Sequence, residues 1–325
     1  MIHILNSKRI GLAAWGFIII SLIMSDDLLA LEKGIAKSEK PTFMIAGFNQ
    51  WANAGDVSSG VPEYLIEKLQ ARKIGLIRKD NFYLYQLPGS HYLFRPSVKY
   101  VEGYEEDYQE EPINDFYYAE IDDKALIIFS GTEPNQYEDL YVNTLLDGAA
   151  ELGVKRIIVP AGVGVEVPFD KERLISCTYS LKPMRKELEN YAVTFSNYGR
   201  SATIGMVINH YCKARGIESL RMTARTPSYQ FQLVISTDKR AIYDILRRVR
   251  YMLELNLDLT DLERESKQQN SEFQNALKRL CIDNPELEPQ IAKYMEQIEE
   301  EFKEVRFNEP ARIPDVFLKE FDNPR

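Results

Sequence analysis

The stretch Met44–Leu69 reads MIAGFNQWANAGDVSSGVPEYLIEKL. An apolar run ends at Gly47, small and polar residues follow Trp51, and then Val61, Leu65, Ile66 and Leu69 recur at helical spacing. Apolar periodicity therefore changes from strand-like to helix-like across one short turn, the signature of a strand-to-helix corner in an α/β fold. No Lys or Arg lies between Met44 and Glu67, and a phosphate cradle at a helix start wants a cation nearby. Asp56 stands where a helix N-cap is expected and would take the N–H groups that an anion needs. The local reading is thus Asp56 as cap, Gly55 as turn residue and Trp51 as a packing plug. The functional alternative is a neutral ligand resting on Trp51, with Asn49, Gln50 and Asn53 as polar contacts.

Working outward, KIGLIRK (73–79) and FYLYQL (82–87) read as strands, as do SVKYVEGY and the pair joined at Asp122–Asp123, which predicts a hairpin. A helix is expected over Tyr137–Leu152, a strand over KRIIVPAGVGVEV, a helix closed by Gly216, and a last strand over SLRMTARTPSY. Ile242, Ile245, Leu246, Val249 and Leu253 then mark an inward helix face. This alternation predicts a parallel or mixed sheet covered on both faces. From Asp258 the spacing of Leu259, Leu262, Ser266, Gln269, Phe273, Leu277 and Leu280, broken at Pro285 and resumed to Val305, predicts an αα-hairpin. That hairpin either packs on its own domain or meets another subunit. The expected organisation is an apolar leader and linker over 1–40, an α/β domain over 41–257, the helical hairpin over 258–308 and a tail over 309–325.

The 325 residues carry a formal net charge of −9 and are 45% hydrophobic, which suits a sizeable core and argues against nucleic acid as partner. Three cysteines and three histidines, widely spaced, predict reduced thiols and neither a structural metal nor a Cys–His nucleophile pair. Lys8 and Arg9 precede an apolar run, Ile10–Met24, shorter than the ~20 residues of a spanning helix. It reads as a signal-like leader, as a translated leader ahead of a start at Met24, or as an uncleaved membrane anchor, and the expected location is cytoplasmic.

Four segments together resemble the PAC2 family, whose namesake is a proteasome assembly chaperone: IAGFNQWANAGD, SGTEPNQYEDLYVNTLLDGAAELGV, GRSATIGMVINHYCKARGIESLRMTARTPSYQ and LDLTDLERESKQQNSEFQNAL. The resemblance implies a three-layer α/β sandwich similar to nucleoside phosphorylases, with a mixed, largely parallel sheet and a helical C-terminal appendage. It implies proteasome-ring assembly for some members, while others have carried an ATP-grasp-like ligase label. Three departures stand out. The chain ends FDNPR, without the hydrophobic-Tyr-x tail of members that dock on proteasomes. VPFDKERLI has Phe169 where the bacterial pattern has His. Gly199, Arg200, Ser201 and Ala202 replace a Gly-Pro-Thr-Gly segment.

Tested as chemistry, SGTEPNQ places Glu133 and Asn135 at a strand end, where open α/β sheets gather ligands. Glu133 is a candidate base or hydroxyl contact, against the plainer reading of a carboxylate satisfying a helix N-terminus. Gly162-x-Gly164 lacks the third glycine of a dinucleotide loop, and Arg200 is the one anion contact expected near it. His210 and Cys212 point apart on a helix. The candidate ligand or interaction loop is therefore Asn49, Trp51, Asn53, Asp56, Glu133, Asn135 and Arg200, with no catalytic residue, cofactor or metal assigned. The expected function is non-enzymatic: a self-associating or protein-binding, assembly-chaperone-like protein. The alternative is a small-molecule or nucleotide-binding enzyme with its site at the strand ends.

Overall fold

The computed structural model describes residues 28–32, 38–49, 51–79, 82–84, 97–109, 112–230 and 236–308. Strand β1 (Leu29–Leu31) is followed by β2 (Thr42–Asn49), helix α1 (Val57–Leu69) and β3 (Arg72–Ile77). A separate ribbon, β4 (Ser97–Val101) and β5 (Tyr104–Gln109), precedes β6 (Asn114–Ile121) and β7 (Lys124–Thr132). Then come α2 (Glu138–Glu151), β8 (Val154–Val165), β9 (Ile175–Tyr179), α3 (Met184–Leu188) and β10 (Val193–Phe195). The chain continues with α4 (Ile204–Arg215), β11 (Glu218–Pro227), α5 (Lys239–Met252), α6 (Thr260–Asp283) and α7 (Glu288–Glu301).

Among the described residues the main sheet has nine strands in the order β1-β3-β6-β7-β2-β8-β11-β9-β10. Its centre, β7-β2-β8-β11, is parallel, and antiparallel strands flank it. Side chains alternate across the sheet. Ile45, Ile128 and Ile158 face α1 and α5 in one core. Met44, Phe48, Ile127, Phe129 and Val159 face α2 and α4 in the other. This is the expected three-layer sandwich. Each such side chain contributes about 1.5–3 kcal/mol on full burial, so the two cores account for the covering of both sheet faces.

The Met44–Leu69 corner forms as the periodicity predicts. At its crossing, a Cβ on Gly47 would lie 2.1 Å from the Ser58 carbonyl oxygen and 2.5 Å from the Pro62 ring. Pro62 has no N–H to return to that carbonyl, so β2 can run against α1 there, provided the strand residue is glycine. The Ser58 hydroxyl accepts the Phe48 N–H (3.1 Å) and donates to the Pro160 carbonyl (2.8 Å), tying the start of α1 to β2 and β8.

Four strands were not foreseen, among them β5, which forms where EEDYQEEP reads as a charged surface connection and turns the single strand expected over SVKYVEGY into a hairpin. β1, in the segment expected as leader and linker, pairs with β3. β9 and β10 extend the sheet beyond β11. The strand expected over 82–87 is not formed at 82–84, and 85–87 lie outside the described residues, as do the apolar run 10–24 and the tail 309–325. Among the described residues no helix is long and apolar enough to cross a membrane.

The C-terminal helices pack back on the domain over part of their stripe. Leu259, Leu262, Ser266, Phe273 and Ile298 are buried. Asp261 accepts hydrogen bonds from Tyr64 and Lys68 on α1, both at 2.8 Å. Gln269 donates to the Thr237 carbonyl and accepts the Lys239 N–H at the start of α5. Towards the tip the apolar residues surface, with Ile282 exposed.

Candidate functional site

Because β2, β7, β8 and β11 are parallel, their carboxyl ends open on one edge, the place where α/β folds gather ligands. Three segments singled out in the sequence meet there. The Glu133 N–H donates to the Asn49 carbonyl (3.0 Å), the Gly162 N–H to the Ala52 carbonyl (2.9 Å), and Asn53 forms a β-bridge with Gly162. A Cβ on Gly162 would fall 2.1 Å from the Ala54 carbonyl oxygen, so close backbone approach, not dinucleotide binding, explains that glycine.

The individual residues take other roles than their positions suggested. Asn53, not Asp56, caps α1: its Oδ1 accepts the N–H groups of Ser58 (2.8 Å) and Ser59 (3.1 Å). Asp56 sits in the left-handed region at φ 48° without capping the helix, and its carboxylate accepts the Thr237 hydroxyl at 2.8 Å. The Asn53 side chain, one turn of 3-10 helix earlier, reaches the free N–H groups because the chain turns at Gly55, φ 65°. Trp51 is not a plug; it is 72% exposed. Glu133 does satisfy a helix N-terminus, but that of the distant α4: Oε1 accepts the Ile204 N–H (3.1 Å) and Oε2 the Trp51 N–H (3.0 Å). Asn135 is exposed and its Oδ1 accepts the Leu84 N–H. Asn49 is exposed at the end of β2, and Arg200 is exposed ahead of α4. Gln50 lies outside the described residues.

Beside these segments is a cavity of about 630 Å³, lined by Trp51, Thr203, Met206, Arg221, Thr223 and Arg225 among others. Asp56, Glu133 and Arg200 are not part of its lining. Arg221 was missed in the sequence, and burial holds its guanidinium below its ordinary range, to about 10. Its signal was present in LRMTART: Leu220, Met222 and Ala224 enter the α1–α5 core, while Arg221, Thr223 and Arg225 alternate onto the opposite face. A strand covered on both faces normally reads as continuously apolar, and β11 does not. Among the described residues no group of three or more His, Cys, Asp or Glu is placed to hold a metal ion.

A family model for PAC2 matches residues 47–277. The chain belongs to the PAC2 family. Among solved structures, a Mycobacterium tuberculosis protein of unknown function is similar at 15% identity and TM-score 0.70, over 90% of this chain and 92% of that one. A Streptomyces avermitilis PAC2 family protein is 19% identical with TM-score 0.63, over 78% of this chain and 99% of that one. A proteasome-assembly chaperone homologue from Mycobacterium tuberculosis is 22% identical with TM-score 0.62, over 72% and 94%. At these identities the likeness is one of fold. Among curated proteins none matches this chain.

Within this PAC2 fold, Phe169 seats the C-terminal arm. The Phe169 ring lies 4.8 Å from that of Phe273 on α6, edge to face, with Tyr229, Leu277 and Met295 around them. Just after it, Arg173 donates to three carbonyls of its own loop (Pro168, Phe169 and Lys171) and is ion-paired with buried Asp238 at 2.9 Å. The segment is thus a structural joint between sheet, α5 and α6.

Proposed function

We propose that this PAC2 protein is a non-catalytic, self-assembling protein of the assembly-factor type. The observation that carries the reading is the β4–β5 ribbon. Tyr100, Tyr104 and Tyr108 are 59%, 76% and 53% exposed, with Val98 and Val101 exposed beside them. The ribbon is a sheet of two strands, separate from the main one. Such a ribbon is marginal alone, among the described residues its outer edges are unpaired and so open to pairing, and tyrosine is among the residues enriched where proteins meet. A second copy of the chain would cover both the edges and the rings.

Two further points support this reading. The carboxylates best placed for chemistry, Glu133 and Asp56, are engaged in holding backbone and loop. One structural neighbour is itself described as a proteasome-assembly chaperone homologue, a role built on protein partners. Light scattering on the intact chain and on a Tyr100→Ser, Tyr104→Ser, Tyr108→Ser variant tests the proposal. The intact chain is expected to form an assembly larger than a monomer, and the variant to be monomeric. A monomeric intact chain across the accessible concentration range contradicts it.

A further inference from the structure

Among the described residues, Arg221 is a buried cation without a protein partner. It is 5% exposed, its Nε has no hydrogen-bond partner, and neither does the hydroxyl of Thr203, which is 6% exposed. Among the described residues Arg221 makes no ion pair or hydrogen bond, although buried guanidinium groups are nearly always paired. By contrast, buried Arg173 and Arg248 each reach a carboxylate and several carbonyls. Both residues line the same cavity at the strand ends.

The surroundings keep Arg221 in this position. Gly205, in the first turn of α4, would place a Cβ 2.9 Å from the Arg221 Cδ, so glycine there lets the side chain run beneath the helix start. Thr203 stands at the N-cap of α4 but its side chain does not cap the helix. Glu133 is the nearby carboxylate felt by Arg221, and both of its oxygens already accept backbone N–H groups. Arg225, on the same face of β11, adds a second positive charge at the exposed end. The cavity volume of about 630 Å³ is within the range of small-molecule sites.

We infer that this cavity is a binding site for a small organic oxyanion, its carboxylate or phosphate received by Arg221 and Thr203 and its flat, apolar body lying toward Met206 and Trp51. Guanidinium recognises both anions through its planar fork, hydroxyls complete the coordination, and the exposed indole offers a face for a ring. No reaction is required of the site. It is independent of self-association, and binding is to be measured on the triple tyrosine variant as well as on the intact chain.

Calorimetric titration with adenosine 5′-monophosphate, benzoate and uncharged adenosine tests the inference. At least one of the two anions is expected to bind, at least tenfold more tightly than adenosine. Preference for the monophosphate assigns a phosphate ligand, and preference for benzoate a carboxylate ligand. The variant Arg221→Met is expected to bind either anion at least tenfold more weakly. Its ligand-free form is also expected to melt higher than the parent, because an uncompensated buried charge has been removed. Absence of binding by both anions, equal binding of adenosine, unchanged affinity in Arg221→Met, or a lower ligand-free melting temperature of that variant overturns the inference.

Discussion

The Glu133 carboxylate accepts the backbone N–H of Trp51 at 3.0 Å across 82 residues of sequence, while its other oxygen holds the first N–H of the helix Ile204–Arg215. One side chain thus fixes the loop after β2 to the entrance of α4. Hydrogen bonds to a charged acceptor are worth about 1.5–3 kcal/mol each, discounted here because Glu133 is only half-buried. Glu133→Ala is expected to lower unfolding free energy by about 2 kcal/mol in a urea titration, with faster amide exchange at Trp51 and Ile204. An unchanged urea midpoint would show that the two contacts contribute nothing.

Gly47 is required by contact, since its Cβ would enter the Ser58 carbonyl and the Pro62 ring. Both obstacles are rigid, so the strand or helix has to move. Overpacking in a core costs about 1–3 kcal/mol, and Gly47→Ala is expected at or beyond the upper end. Thermal melting of that variant beside Gly103→Ala checks it. Gly103 has open space around it but sits at φ 83°, so its own loss is the strain of the turn and should be confined to the ribbon.

Arg173 and Asp238 form an ion pair with side chains 2% and 1% exposed, and Asp238 also caps α5 through the Ala241 N–H. Removing one member of a buried pair costs about 3–5 kcal/mol because the other charge is left without compensation. Arg173→Met is expected to show a loss of that size by chemical denaturation. A loss below about 1 kcal/mol would mean that solvent or Arg240 takes over the charge.

Acid stability has an identifiable contributor. Bidentate hydrogen bonds from Arg156 to Glu187, both 2.7 Å, hold the Glu187 carboxyl below its ordinary 4.5, with burial opposing. A depressed folded-state carboxyl stabilises fully above its unfolded value, and that stabilisation is lost as pH falls through the folded value. Melting temperature is therefore expected to fall on acidification below about pH 4.5, and less steeply in Glu187→Gln. Identical acid slopes in the two proteins would remove Glu187 from the account.

The corner Met44–Leu69 was readable because its period change and small residues are local facts. The helices α1, α2, α4 and α5 followed for the same reason. The strands β1, β9 and β10 were not readable: each is short, three to five residues, and exists only through pairing with distant partners; β5 was hidden by its acidic composition, which reads as a surface connection. Asp56 looked like the cap because it precedes the helix, yet the turn at Gly55 brings Asn53 to the free N–H groups instead. Arg221 looked like one more polar residue in an alternating strand, since only the position of β11 between β8 and β9 makes its face internal.

Hydrogen–deuterium exchange across residues 97–109 at increasing protein concentration tests the central claim most directly. If a second copy covers the ribbon, amides along β4 and β5 gain protection as the assembly forms, and the triple tyrosine substitution abolishes the gain. Exchange in this segment that is fast and independent of concentration contradicts self-assembly through the ribbon.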